Sequence, residues 1–142
     1  MRRFVALFAL AACAGLAHAQ ARVNVYVFDF SFSNRLPEFP VESDTFVNAG
    51  DIVVWIPIHE FHNTVAAVGQ DEYWNSPILD LTDTFEYQFT IPGTYTYYCE
   101  PHGWDNGDGT VGGMTGRIIV LPAPASLGLL AMTGLLGVGR RR

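Results

Sequence analysis

Lysine is absent from the 142 residues, and all formal positive charge comes from eight arginines. Arg2, Arg3, Arg140, Arg141 and Arg142 lie at the two ends, which leaves Arg22, Arg35 and Arg117 for the body between residues 20 and 121. That body carries all 14 Asp and Glu, so three positive against 14 negative charges give it −11. Such a balance argues against nucleic acid and anionic membrane surfaces as partners. It suits a basic protein partner, with plain solubility as the alternative. Cysteine is almost as scarce. Cys13 falls in the N-terminal leader, so the body keeps Cys99 alone and has no internal disulfide. The body also lacks a long 3.6-residue periodicity, an internal repeat and a low-complexity tract, which excludes helical bundles and solenoids.

What is present at the ends reads as targeting. Met1-Arg2-Arg3 precedes an apolar run over residues 4–16, and Ala17-His18-Ala19 forms a cleavage site, so residues 1–19 are expected to be a signal peptide. Leu10-Ala11-Ala12-Cys13 offers an alternative, a lipobox that would lipidate Cys13. At the other end a Pro122-Ala123-Pro124 hinge leads to a short apolar stretch over residues 127–138 and then to three arginines. That order resembles the PEP-CTERM sorting tails processed by exosortases, with Pro-Ala-Pro in place of the usual Pro-Glu-Pro. The stretch is short for a stable span, and a retained anchor with a basic flank is the alternative. The expected organisation is a signal peptide (1–19), one domain (20–121) and a sorting or anchor tail (122–142) on an exported, periplasmic or surface-directed protein.

The body reads as all-β. Residues 22–30 alternate and are rich in β-branched and aromatic side chains, which predicts a strand. Residues 33–42, with Pro37 and Pro40, are expected to be loop. Ala49-Gly50-Asp51 is a turn feeding a strand at 52–56, and further strands are expected at 63–68, 84–90, 94–98 and 115–121. The mixed stretch 70–80 is expected to be loop, with a helical turn near Tyr73-Trp74. Short strands punctuated by Gly and Pro point to a Greek-key β-sandwich.

Chemistry concentrates at Cys99-Glu100-Pro101-His102, with Met114 further on and His62-Asn63-Thr64-Val65 upstream. A thiolate, two imidazoles and a thioether are soft donors suited to copper, the trigonal set of a blue-copper centre with a weak axial methionine. Singly, His62 would be a satisfied core residue and Met114 core filler. His59 reads as a solvated loop histidine, with a second ligand or proton acceptor as the alternatives. Asp105 and Asp108 lack the remaining ligands of a calcium loop.

Five segments in order, Gly50-Asp51-Ile52-Val53-Val54-Trp55, His62-Asn63-Thr64-Val65, residues 92–99, Pro101-His102-Gly103 and Met114-Thr115-Gly116, resemble the plastocyanin branch of the cupredoxins. The resemblance implies a cupredoxin β-sandwich with one type 1 copper held by His62, Cys99, His102 and Met114, and a residue at Asn63 that bonds back to the cysteine loop. It departs from the family in the long stretch 103–113 between His102 and Met114, which is expected to be an exposed insertion that leaves Met114 in place. The function implied is electron transfer to a redox protein partner, a basic cytochrome or oxidoreductase, by a monomer whose membrane contact comes only from the tail or from lipidation. The alternatives are a non-redox copper-binding or storage protein and a surface or matrix module. Three histidines and one cysteine in the body exclude multicopper enzymes and a binuclear copper-thiolate centre, so no enzymatic activity is expected.

Overall fold

In the computed structural model the described residues are 19–36 and 44–124. The signal-peptide reading, the Cys13 alternative and the hydrophobic tail fall outside them, save for residues 19 and 122–124. Eight strands follow in chain order: β1 (Arg22–Phe28), β2 (Ser31–Ser33), β3 (Thr45–Asn48), β4 (Ile52–Pro57), β5 (Val65–Ala66), β6 (Phe85–Gln88), β7 (Gly93–Asp105) and β8 (Val111–Leu121). They form two four-stranded sheets, ordered β2-β1-β4-β6 and β3-β8-β7-β5. The pairs β1·β4 and β3·β8 are parallel and the remainder antiparallel. No helix occurs among the described residues.

Period-two alternation turns one side of each strand inward. On the first sheet Val25, Val27, Val53 and Trp55 are fully buried, with Val25 opposite Trp55 across the β1·β4 pair. On the second sheet Tyr95, Tyr97 and Cys99 of β7 face inward with Met114, Ile118 and Val120 of β8. Burying a side chain such as Val25 or Ile118 contributes about 1.5–3 kcal/mol against leaving it exposed. Tyr97 stands at the centre, edge-on to Phe32 (4.7 Å) and Trp55 (5.7 Å). Its ring lies across its strand partner Gly116, where any Cβ would collide with it.

Several expected boundaries move, each for a tertiary reason. The first strand stops at Phe28 because Asp29 and Phe30 turn the chain into β2, which the sequence reading missed. Strand β3 was also unforeseen; it exists through parallel pairing with residues 118–121 of β8. The strand expected at 63–68 shrinks to Val65–Ala66, because Thr64 N–H donates to Ser76 Oγ (2.9 Å) and the His62 carbonyl accepts from Leu79 N–H (2.7 Å). The helical turn near Tyr73-Trp74 does not form. Trp74 is drawn into the core, its indole N–H donating to Thr64 Oγ1 (3.0 Å) and its ring packing on Trp55.

The largest departure concerns the insertion. Residues 103–105 pair with 111–113, so β7 and β8 extend past the expected strand ends as one hairpin with its tip at residues 106–110. Asp105 and Asp108 work within it: Asp105 accepts from Gly107 N–H and Val68 N–H, and Asp108 from Thr110.

Candidate metal centre

Three segments meet at one end of the sandwich. His62 follows β4 by a short turn in which Phe61 takes the left-handed backbone conformation (φ 68°). Cys99 and His102 come from a break in the β7·β8 register, and Met114 sits across that break. Tyr98 pairs with Thr115, and the next pair is Gly103 with Gly113, so residues 99–102 on one strand oppose the single residue Met114 on the other. Such a bulge bends the strand and re-aims its side chains. Gly113 makes the resumption possible: its φ is +79°, and a Cβ there would strike the His102 carbonyl oxygen.

The result is a tight donor cluster. Cys99 Sγ lies 3.6 Å from His62 Nδ1 and 3.5 Å from His102 Nδ1, and the three donor atoms all fall within 4.8 Å of one another. The imidazole rings are 4.7 Å apart. Cys99 and His62 are buried, Met114 is 1% exposed, and His102 is half-buried at the surface. These separations fit a metal ion. Bonds of about 2.3 Å to sulfur and about 2.0 Å to nitrogen, spread in a trigonal plane at roughly 120°, leave sulfur and nitrogen about 3.7 Å apart.

Burial sets the protonation of the cluster. It pushes the Cys99 thiol above its ordinary range, against hydrogen bonds from the Asn63 and His102 backbone that pull it down. It pushes the His62 imidazole below its ordinary range, opposed by a hydrogen bond to Asp29 and reinforced by the nearby His102. A neutral imidazole keeps the lone pair that ligation needs.

The surrounding contacts hold both loops. Asn63 Nδ2 donates to Glu100 Oε2 and Asn63 Oδ1 accepts from Glu100 N–H, each at 2.8 Å. His59 stays out of the cluster; its Nδ1 accepts from Asp29 N–H at 2.9 Å. Two neighbours escaped the sequence reading. Asp29 Oδ1 lies 3.2 Å from His62 Nε2, and the Phe30 ring stands edge-on to His102 at 5.0 Å. The one signal available was that Asp29 interrupts an otherwise apolar Val27-Phe28-Phe30 run. A concavity of about 410 Å³ is lined by Asp44, Thr96, Thr110 and Arg117 and is bordered by none of the cluster residues.

Two four-stranded sheets with a cysteine and two histidines converging at one end make a β-sandwich of cupredoxin-like fold. The comparisons agree. Over 51 residues the chain is 45% identical to chloroplastic plastocyanin of Oryza sativa subsp. indica, a match that takes in 36% of this chain and 29% of the rice protein. It is 43% identical over 51 residues to the chloroplastic plastocyanin of Hordeum vulgare, covering 36% and 28%. The chain thus matches less than a third of the length of these curated relatives. Among solved structures, a reduced amicyanin with a tryptophan-to-tyrosine replacement superposes with TM-score 0.52 and 22% identity, over 72% of this chain and 85% of that one. An oxidised methionine-to-leucine amicyanin gives 0.51 and 22%, over 69% and 80%. At that identity the likeness speaks for the fold. No known family profile matches the chain.

Proposed function

We propose that this chain is an exported one-electron carrier with a single type 1 copper held by His62, Cys99, His102 and Met114, and that it is not an enzyme. The observation that carries the proposal is the Cys99 sulfur set 3.5–3.6 Å from two imidazole Nδ1 atoms. Copper bound there would supply one-electron chemistry, passing between its cuprous and cupric forms. The protein's task is to hold the donors still in both forms. Cys99 supplies the sulfur from the inner face of β7, and His62 ties the site to the opposite loop through a buried ring. Met114, buried on β8 opposite residues 99–102, would supply the thioether. His102 reaches the surface and is the edge through which an electron leaves, with Phe30 against its ring.

The partner we propose is a redox protein with a basic docking face, given 14 acidic and three basic residues in the body. The exported chain would be a monomer freed of its signal peptide, with the site in the body 20–121 and membrane contact confined to the tail or to lipidation. The test is a visible spectrum of the full chain with Cu(II), beside Cys99→Ser and Met114→Ala. Intense blue absorption that disappears in Cys99→Ser and shifts in Met114→Ala supports the site. A colourless protein, or copper binding indifferent to Cys99, would sink it.

A further inference from the structure

The β1–β2 turn lies across both histidines. Its two residues divide the work: the Phe30 ring meets His102, and the Asp29 carboxylate meets His62. Phe30 takes φ 61°, a left-handed conformation that is strained for a non-glycine residue, so the turn is held by its surroundings. His59 provides part of that hold. Its Nδ1 accepts from Asp29 N–H and lies 3.5 Å from Asp29 Oδ2, while its ring packs edge-on against Phe28.

The chemistry of the Asp29 contact has one direction. A carboxylate only accepts, so the hydrogen must sit on His62 Nε2, and the lone pair is then on Nδ1. Nδ1 is the atom that faces Cys99 Sγ. Histidine ligands commonly donate their other ring N–H to a carboxylate, which fixes tautomer and ring orientation and makes the imidazole a stronger donor. A stronger donor and a nearby negative charge both favour the more highly charged metal. The Asp29 side chain is 64% exposed, so water weakens the charge effect without removing the hydrogen bond. We infer that Asp29 is a positioning residue, selecting the Nδ1-donor form of His62 and biasing the bound metal toward its oxidised state. The second half rests on the copper reading above.

The experiment compares the full-length wild type with Asp29→Ala, Asp29→Asn and, as a control, Asp71→Asn, which removes one exposed acidic charge elsewhere. Circular dichroism checks that each variant folds. Nitrogen-15 shifts of His62 in the metal-free chain report the tautomer. The wild type is expected to hold its hydrogen on Nε2, and Asp29→Ala to show a mixture. Copper affinity is expected to fall about tenfold in Asp29→Ala. The reduction potential should rise in both Asp29 variants; a tenfold weakening confined to the oxidised state reads as about 59 mV for one electron. An unchanged tautomer in Asp29→Ala would overturn the positioning role, and a potential that moves no more than in Asp71→Asn would overturn the redox bias. A wild type without cysteine-dependent blue absorption would refute the copper reading separately, while the tautomer measurement, made without metal, still decides the role of Asp29.

Discussion

Asn63 and Glu100 join the segments that carry His62 and Cys99 through a reciprocal pair of hydrogen bonds, side chain to backbone in one direction and side chain to side chain in the other, both 2.8 Å. Each residue is the chain neighbour of a donor, Asn63 of His62 and Glu100 of Cys99, so the pair fixes one donor against the other. Asn63 is 2% exposed, and its loss strands the Glu100 N–H in a partly buried setting. Leaving such a group unsatisfied costs about 1–3 kcal/mol. Asn63→Leu is therefore expected to lower the urea midpoint by that equivalent. Glu100→Gln, which leaves the backbone bond intact, should cost less than half as much. Equal midpoints for wild type and Asn63→Leu would show that the pair is not a structural tie.

How much of this was legible in the sequence depends on how local each interaction is. Cys99 and His102 share one turn of chain, and donor chemistry alone marks them. The alternation of Val23, Val25 and Val27 fixes β1 because period two is a property of the strand itself. Strand β3 was not legible, because its four residues become a strand only through hydrogen bonds to residues more than 70 positions away. The Gly-rich stretch after His102 read as loop for a related reason: Gly112 and Gly113 carry no strand propensity, and their place in β8 comes from pairing with Gly103 and Trp104. The contact of Asp29 with His62 spans 33 residues and depends on a left-handed Phe30, which no local signal announces.

Two opposite shifts give the metal-free chain a stability optimum between them. Burial raises the Cys99 thiol above its ordinary value of 9.0, so above that pH the unfolded chain loses its proton first and stability falls. Burial lowers His62 below its ordinary 6.5, so below that pH the unfolded chain gains a proton first and stability again falls. Urea unfolding of metal-free protein from about pH 5 to about pH 10 should show both limbs. Cys99→Ala should flatten the alkaline limb and His62→Gln the part of the acid limb nearest 6.5. The raised thiol also ties copper uptake to pH, since ligation expels its proton. Affinity should climb about tenfold per pH unit while one proton is displaced. Affinity independent of pH below 9 would mean that Cys99 is already a thiolate, contrary to its burial.

The hairpin beyond His102 is separable from the site it follows. The register break ends at the Gly103–Gly113 pair, so the geometry that sets Met114 opposite residues 99–102 is complete before the hairpin extends. Its outer part is held to the body by Asp105 Oδ2 accepting from Val68 N–H (2.7 Å) and by Thr96 Oγ1 donating to the Gly109 carbonyl (2.9 Å). Replacing residues 105–111 with a two-residue Asn-Gly turn removes both bonds and should cost about 1–3 kcal/mol, at roughly 0.5–1.5 each. The blue absorption should survive that replacement. Gly113→Ala should do the reverse in kind: a Cβ would meet the His102 carbonyl, and the positive φ strains any side chain. Its cost is on the order of 1–3 kcal/mol, with a shifted spectrum as Met114 and His102 move apart. If the shortened hairpin lost its colour while Gly113→Ala kept the wild-type spectrum, the site would depend on the hairpin body and not on the register break at its base.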